Sequence, residues 1–259
     1  MRWPWLGLAV FLFLGQGAWG GAFEDGLGSR ALARGRVCVA WADEATAGSC
    51  NPAGPASLEG FHLLVGLAPR IGPAAELKLL SGATSWGTLA LSGAWALSSS
   101  GIKTEELWAS SLALRAGERL SLGIGVKRYH QSSGGTEAML DLGVLYRAAD
   151  LLTLGMDFGD VVHSGAPLVA PLTRVGVRLA LGLFRGGGEL ALSPTAPLQG
   201  SLGIELALFA PLILRLGWAA GRWSGGLGFD SRTLRADFAL RASEEGPVWM
   251  LSTEVVFCG

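Results

Sequence analysis

Residues 120–127 read LSLGIGVK, with Leu120, Leu122, Ile124 and Val126 alternating with Ser121, Gly123, Gly125 and Lys127. Side chains of a strand alternate between faces, so this stretch has one aliphatic face and one nearly bare face that ends in a charge. The pattern recurs. Residues 139–146 set Leu140, Leu142, Val144 and Tyr146 against Asp141 and Gly143, and residues 174–182 set Val175, Val177, Leu179 and Leu181 against Arg174, Gly176 and Arg178. Residues 201–208 repeat it with Glu205 on the polar face, and residues 233–241 with Arg235, Asp237 and Arg241. A helix would scatter these charges around its whole circumference, so the pattern predicts strands. Between residues 61 and 257 it predicts about 14 of them, each of about 8–12 residues, the length that crosses a bilayer at a tilt.

Tight turns are predicted at RAAD (147–150), RGGG (185–188), FAP (209–211) and FDS (229–231), and longer links at 129–137, 159–171, 193–200 and 242–247. Short turns at one end and longer loops at the other mark an outer-membrane barrel. The expected fold is therefore all-β, an antiparallel transmembrane β-barrel whose closure pairs every backbone group. Its aliphatic face points to lipid and its polar face into the lumen, where glycine is expected to relieve crowding as strands curve. Trp108, Trp218, Trp223 and Trp249 fall near predicted strand ends, where an aromatic girdle sits. With FAP as a three-residue turn, Leu208 faces Leu212, Leu206 faces Leu214 toward lipid, and Glu205 faces Arg215 in the lumen.

Composition narrows the alternatives. Of 259 residues 50% are hydrophobic and only 16% charged, against about 25% charged in an average soluble domain. Mean hydropathy is +0.41. With 20 basic and 21 acidic residues and no cationic run, nucleic acid is not an expected partner. Residues 1–20 resemble a secretory signal, with Arg2, the apolar run 5–15 and the small-residue site AWG. Beyond them no window of about 18 uninterrupted apolar residues exists; Glu205, Pro211 and Arg215 break the nearest approach, residues 202–220.

The order of segments is similar to that of a known family. Residues 120–162, LGIELALFAPLILRLGW (202–218), RADFAL (235–240) and ALARGRVCVAWADEATAGSCNPAGPASLEG (31–60) resemble stretches of the PorV/PorQ-like outer-membrane proteins. These are relatives of the FadL-type transporters of hydrophobic compounds. Cys38 and Cys50 stand where the family carries small or aromatic residues. The resemblance implies a barrel (61–259) with residues 21–60 as a plug or hatch in the lumen. It implies a bacterial outer-membrane location and a non-enzymatic role in protein export or surface attachment, with secreted cargo or secretion machinery as partner. The alternative is FadL-like passage of a hydrophobic small molecule; outer-membrane lipid is a partner in either case.

Several residues are candidates for function. Asp43, Glu44, Asn51 and Pro52 gate the lumen, or else form a capped turn in which Asp43 starts a short helix and Asn51-Pro52 makes a turn. Lys127, Asp141, Asp157, Arg174, Arg178, Glu205, Arg215, Arg235, Asp237, Arg241 and Glu254 point inward by alternation. They either line a solute path or pair across strands, because desolvated charges need partners. Cys38 and Cys50 form a disulfide in an oxidising compartment or remain separate thiols, with Cys258 free. His130 with Ser132, and His163 with Ser164, raise a lipid hydrolase as a distant alternative, which needs a hydroxyl within reach of an imidazole. His62 has no evident partner. No Cys, His or carboxylate spacing indicates a metal, and no cofactor motif is present.

Overall fold

The computed structural model describes residues 23, 27–69, 76–100, 103–164, 171–194, 196–242 and 246–257. The expected signal segment and Cys258 lie outside them. Fourteen strands form one closed antiparallel barrel: β1 (Phe61–Ala68), β2 (Glu76–Trp86), β3 (Leu89–Ser100), β4 (Lys103–Ala116), β5 (Leu120–Gln131), β6 (Gly135–Ala149), β7 (Leu152–Ser164), β8 (Leu172–Leu181), β9 (Phe184–Ser193), β10 (Ala196–Phe209), β11 (Leu212–Ala219), β12 (Arg222–Asp230), β13 (Leu234–Arg241) and β14 (Val248–Phe257). Each strand pairs with its neighbours in sequence, and β1 closes on β14 from Phe61 opposite Phe257 to Leu67 opposite Leu251. Among the described residues no helix is long and apolar enough to cross a membrane.

The aliphatic face of LSLGIGVK is the outside of this barrel. Leu122, Ile124 and Val126 are 41%, 44% and 50% exposed, while Ser121 is buried. Every strand presents large apolar side chains outward in the same way, a continuous apolar surface that water does not tolerate and lipid does. Aromatic side chains mark both edges. At the end of the longer links, Trp95 packs on Trp108 with centroids 6.2 Å apart, Trp218 stands opposite Trp223, and Trp249 lies by Phe238. At the other end Phe61 packs on Phe257, in line with exposed Trp86, Tyr146, Phe184, Phe209 and Phe229.

The turns differ from expectation in instructive places. RGGG (185–188) is not a turn: Arg185 and the three glycines lie inside β9, and the reversal falls at residues 182–183, where Gly182 has φ 61°. Glycines inside a strand carry the same local signal as glycines in a turn. Links at 129–137 and 193–200 shrink to a few residues because β5, β6, β9 and β10 run on through their polar ends. Strand ends stand furthest apart in sequence between Ala68 and Glu76, Ser164 and Leu172, and Arg241 and Val248, so that end is the loop end; the other, with reversals at 87–88, 117–119, 150–151, 182–183, 210–211 and 231–233, is the turn end. A bulge between Ala207 and Phe209 puts Phe209, not Leu208, opposite Leu212. Above it the register runs Leu206 to Leu214 and Glu205 to Arg215.

Residues 27–58 lie inside the ring. Helix α1 (Ser29–Ala33) packs on β11 to β14, helix α2 (Ala47–Cys50) on β3 and β4, and a 3-10 turn (Gly54–Ser57) on β2 to β6. A segment that touches opposite arcs of the wall occupies the lumen. It also explains several lumen-facing glycines. A Cβ on Gly123 would sit 2.2 Å from the Pro52 backbone, and one on Gly217 would sit 2.0 Å from the Gly35 nitrogen. The wall is bare there because another backbone lies against it.

Candidate functional site: a lumen of three zones

The interior has an ion-paired arc, an apolar arc and an open cavity. The ion-paired arc follows from strand alternation on β7 to β14. Glu205 and Arg215 are 2% and 1% exposed, and Arg215 Nε donates to the Glu205 carboxylate at 2.5 Å. The same guanidinium donates from Nη1 to Asp237. Arg174 donates to Asp157 at 2.8 Å and lies 3.8 Å from Glu189. Arg235 bridges Asp230 at 3.0 Å and Glu254 at 3.2 Å. Lys127 pairs with Asp141 at 2.5 Å on β5 and β6. Arg241 is buried in the same wall, whereas the Arg178 Nε has no hydrogen-bond partner among the described residues.

Sequence reasoning missed half of this network, because its other half comes from the lumen segment. Arg30 Nε donates to Asp237 at 2.8 Å, and Arg34 lies 3.1 Å from Asp43 and 3.5 Å from Glu205. Arg30 and Arg34 are four residues apart across α1, so they leave it on one side. Glu189 accepts from the Cys38 and Val39 N–H groups, each at 3.0 Å. His62 does have a partner: its Nδ1 lies 2.9 Å from Glu254, brought 192 residues along the chain by closure of β1 on β14.

The candidates within the lumen segment sit close together. Asp43 starts no helix; α2 begins at Ala47 with no side-chain cap, and Asp43 is held by Arg34 instead. Burial opposes ionisation of Asp43, but Arg34, Arg30, Arg178 and Arg215 outweigh it and hold the carboxyl well below its ordinary range. Burial pushes Glu44 up to about 7, with Arg30 and Arg34 pulling the other way. Glu44 accepts the Thr46 hydroxyl at 2.8 Å. Asn51 is fully buried; its amide donates to the Val39 carbonyl at 2.9 Å and the Val144 carbonyl of β6 at 3.0 Å, and its oxygen accepts the Ala53 N–H at 3.0 Å. Pro52 lies against Gly125. Cys38 and Cys50 are bonded to each other with Cα atoms 5.9 Å apart, closing the loop between them.

The apolar arc lies toward the loop end. Leu64, Leu79, Leu107, Tyr129, Met139 and Met250 face inward from β1, β2, β4, β5, β6 and β14 and pack around Leu27 and Leu32. Phe23 lies edge-on to Tyr129 with centroids 6.2 Å apart. At the turn end a cavity of about 1100 Å3 is lined by residues of β4 to β8 and β13, with Asp43 and His62 at its inner side.

His130 and Ser132 do not assemble a nucleophile and base. His130 Nδ1 lies 2.9 Å from the Thr136 hydroxyl, and Ser132 Oγ accepts the Thr104 N–H at 3.0 Å. The His163 side chain lies outside the described ones. Among the described residues no group of three metal-ligating side chains converges.

No protein-family model matches the chain, and no curated protein matches it in sequence. Solved structures match its fold. CymD, a monoaromatic hydrocarbon channel, superposes with a TM-score of 0.68 over 91% of this chain and 98% of its own, at 16% identity. TbuX, the toluene transporter of Ralstonia pickettii, gives a TM-score of 0.68 over 90% and 99%, at 13% identity. A FadL homologue of Pseudomonas aeruginosa gives 0.63 over 88% and 98%, at 11% identity. The chain shares its fold with these three proteins.

Proposed function

We propose that this barrel passes small hydrophobic compounds across the outer membrane, with residues 21–60 as its hatch. The observation that carries the reading is the apolar arc. In a closed barrel whose outer face already belongs to lipid, inward Leu64, Leu79, Leu107, Met139 and Met250 form a second apolar surface within reach of the loop end. A pore for ions or sugars has no use for such a surface, whereas a pathway for apolar solutes needs one. The neighbours in fold described as hydrocarbon and toluene carriers support the same reading. Asp43, Glu44, Asn51 and Pro52 then belong to the part that must shift for a solute to pass. The export role implied by the PorV/PorQ resemblance has no comparable observation behind it.

Uptake of radiolabelled toluene by liposomes carrying the full-length protein tests this. Protein-loaded vesicles should take it up faster than protein-free ones, and Leu79→Gln together with Leu107→Gln should lower the protein-dependent rate by about tenfold, since each polar group must be desolvated when an apolar solute displaces water. Equal uptake with and without protein would overturn the reading.

A further inference from the structure

The turn-end wall carries a row of cations that passage of hydrocarbons does not use. Arg119 faces Arg147 across the start of β5 and the end of β6, where the Arg147 N–H donates to the Arg119 carbonyl at 2.8 Å. Arg147 is opposite Thr153 on β7, and Thr153 is opposite Arg178 on β8. All four line the cavity of about 1100 Å3. With neighbouring strands roughly 4.8 Å apart, three guanidiniums and a hydroxyl share a span of about 15 Å.

These arginines differ from the rest of the lumen. Arg174, Arg215 and Arg235 each hold a carboxylate. Among the described residues the guanidiniums of Arg119, Arg147 and Arg178 make no ion pair or hydrogen bond, and the Arg178 Nε is shielded from solvent without a partner. Like charges on adjoining strands destabilise a sheet. Arg119 and Arg147 are exposed and Arg178 is half-buried, so the row is open to an anion that enters the cavity.

The charge of the cavity indicates what that is. Its lining holds six arginines, at 115, 119, 147, 178, 232 and 235. Arg235 is taken up by Asp230 and Glu254, and Asp43 by Arg34. That leaves Arg115, Arg119, Arg147, Arg178 and Arg232 against Glu59, Glu118 and Asp150, two positive charges in excess, and three of these five arginines form the row. Guanidinium forks take carboxylate and phosphate oxygens in pairs. Leu58, Leu145 and Leu151 add an apolar wall, and the volume exceeds what an inorganic ion fills. Tyr146, Leu154 and Val177, next in sequence to the row, are the residues that face lipid, so the row itself meets solutes and not headgroups.

We propose that the row Arg119, Arg147, Thr153 and Arg178 binds a dianionic organic solute, a dicarboxylate or a phosphate monoester, at the turn-end mouth. The site stands apart from the hydrocarbon pathway and is tested without it. Thermal unfolding of the full-length protein in neutral detergent is followed in disodium succinate and in sodium chloride at equal ionic strength. Succinate should raise the unfolding temperature by several degrees more than chloride. In R147Q/R178Q that extra rise should vanish, with an apparent affinity at least about tenfold weaker. Each protein's unfolding temperature without anion is its own baseline, since Arg178 also helps hold Asp43 ionised. Equal shifts in succinate and chloride for the parent protein would mean screening alone and overturn the site, as would an undiminished succinate shift in the variant. Should the double variant fail to fold, R119Q, at the row's exposed end, gives the same comparison. Loss of toluene uptake with the succinate response intact would fault the hydrocarbon reading and leave this one standing.

Discussion

The two arcs of the lumen are built from the same strand alternation and hold the same segment, yet by opposite means. On β10 to β13 the wall meets α1 through Arg30, Arg34, Glu205, Arg215 and Asp237, each buried and fixed by charge. On β1 to β6 it meets Leu27 and Leu32 through Leu64, Leu79, Leu107 and Met139, while Arg115 of β4 holds the Ala56 carbonyl at the turn end. Apolar contact is non-directional, and its groups can slide or be replaced by another apolar body. A buried ion pair is directional, and its members cannot separate without leaving a bare charge in a dry place. The charged arc therefore anchors the segment by directional bonds, and the apolar arc adds contact without direction.

The sharpest way to break this contrast is at the centre of the charged arc. Arg215→Met leaves both Glu205 and Asp237 short of their main partner and should cost on the order of 3–5 kcal/mol. Glu205→Gln should cost less, since it leaves Asp237 to hold Arg215. The double variant should lose less than the sum of the two, because the second change removes a charge that the first has stranded. Unfolding temperatures of the four proteins in one detergent check this. Strictly additive losses would mean that the pair is not coupled, and the arc would then not be an anchor.

The apolar arc should respond more mildly and without charge dependence. Leu79 is 2% exposed and packs in the cluster of Leu64, Met250 and Leu27. Leu79→Ala should cost about 2 kcal/mol, toward the lower end for such truncations, because methionine can move into part of the gap. The loss should be the same at low and high salt. A salt-dependent loss would show that charges reach this arc too.

What could be read in advance follows the same division between local and distant causes. The outward face of residues 120–127 and the meeting of Glu205 with Arg215 depend only on period 2 and on one turn, and both are legible within a dozen residues. The bulge at Leu208 shows the limit, since it displaced the turn without changing the parity above it. Arg185 to Gly188 looked like a turn because three glycines are ambiguous without the partner strands. Arg30 and Arg34 were unreadable as network members: nothing near them in sequence reveals that α1 lies against β12 and β13. The pairing of His62 with Glu254 exists only because the barrel closes. The lumen glycines have two causes: a Cβ on Gly187 would meet the Val177 carbonyl of the neighbouring strand, as crowding in a curved wall predicts, whereas others face the lumen segment. Bare inward positions on β5, β6, β7 and β11 trace the path of a backbone lying across the wall, and that path is visible only once both are in place.

The smallest expected effect sharpens the comparison at the point where the two arcs share the segment. Glu44 is buried beside Arg30, and burial raises its pKa from an ordinary 4.5 to about 7, while neighbouring Asp43 is held low by Arg34 and Arg30 after they overcome its own burial. A carboxyl with a raised folded pKa binds its proton more tightly folded than unfolded. Its contribution to stability is therefore fully present below about 4.5 and is lost as pH rises through about 7. Asp43 behaves in the opposite sense: its contribution is present above its ordinary range and is lost only in stronger acid. The two windows do not overlap, so between pH 4.5 and 7 the difference between the parent and Glu44→Gln reports on Glu44 and not on Asp43. Glu44→Gln keeps the shape and the Thr46 contact without the titration. It should flatten the slope of stability with pH in that interval by up to about 1.4 kcal/mol per unit. At pH 8 the variant should melt above the parent protein, by a margin smaller than the loss in Arg215→Met. A parent protein equally stable at pH 5 and pH 7.5, or a variant with the parent's slope, would place Glu44 in contact with water and detach it from the buried arc.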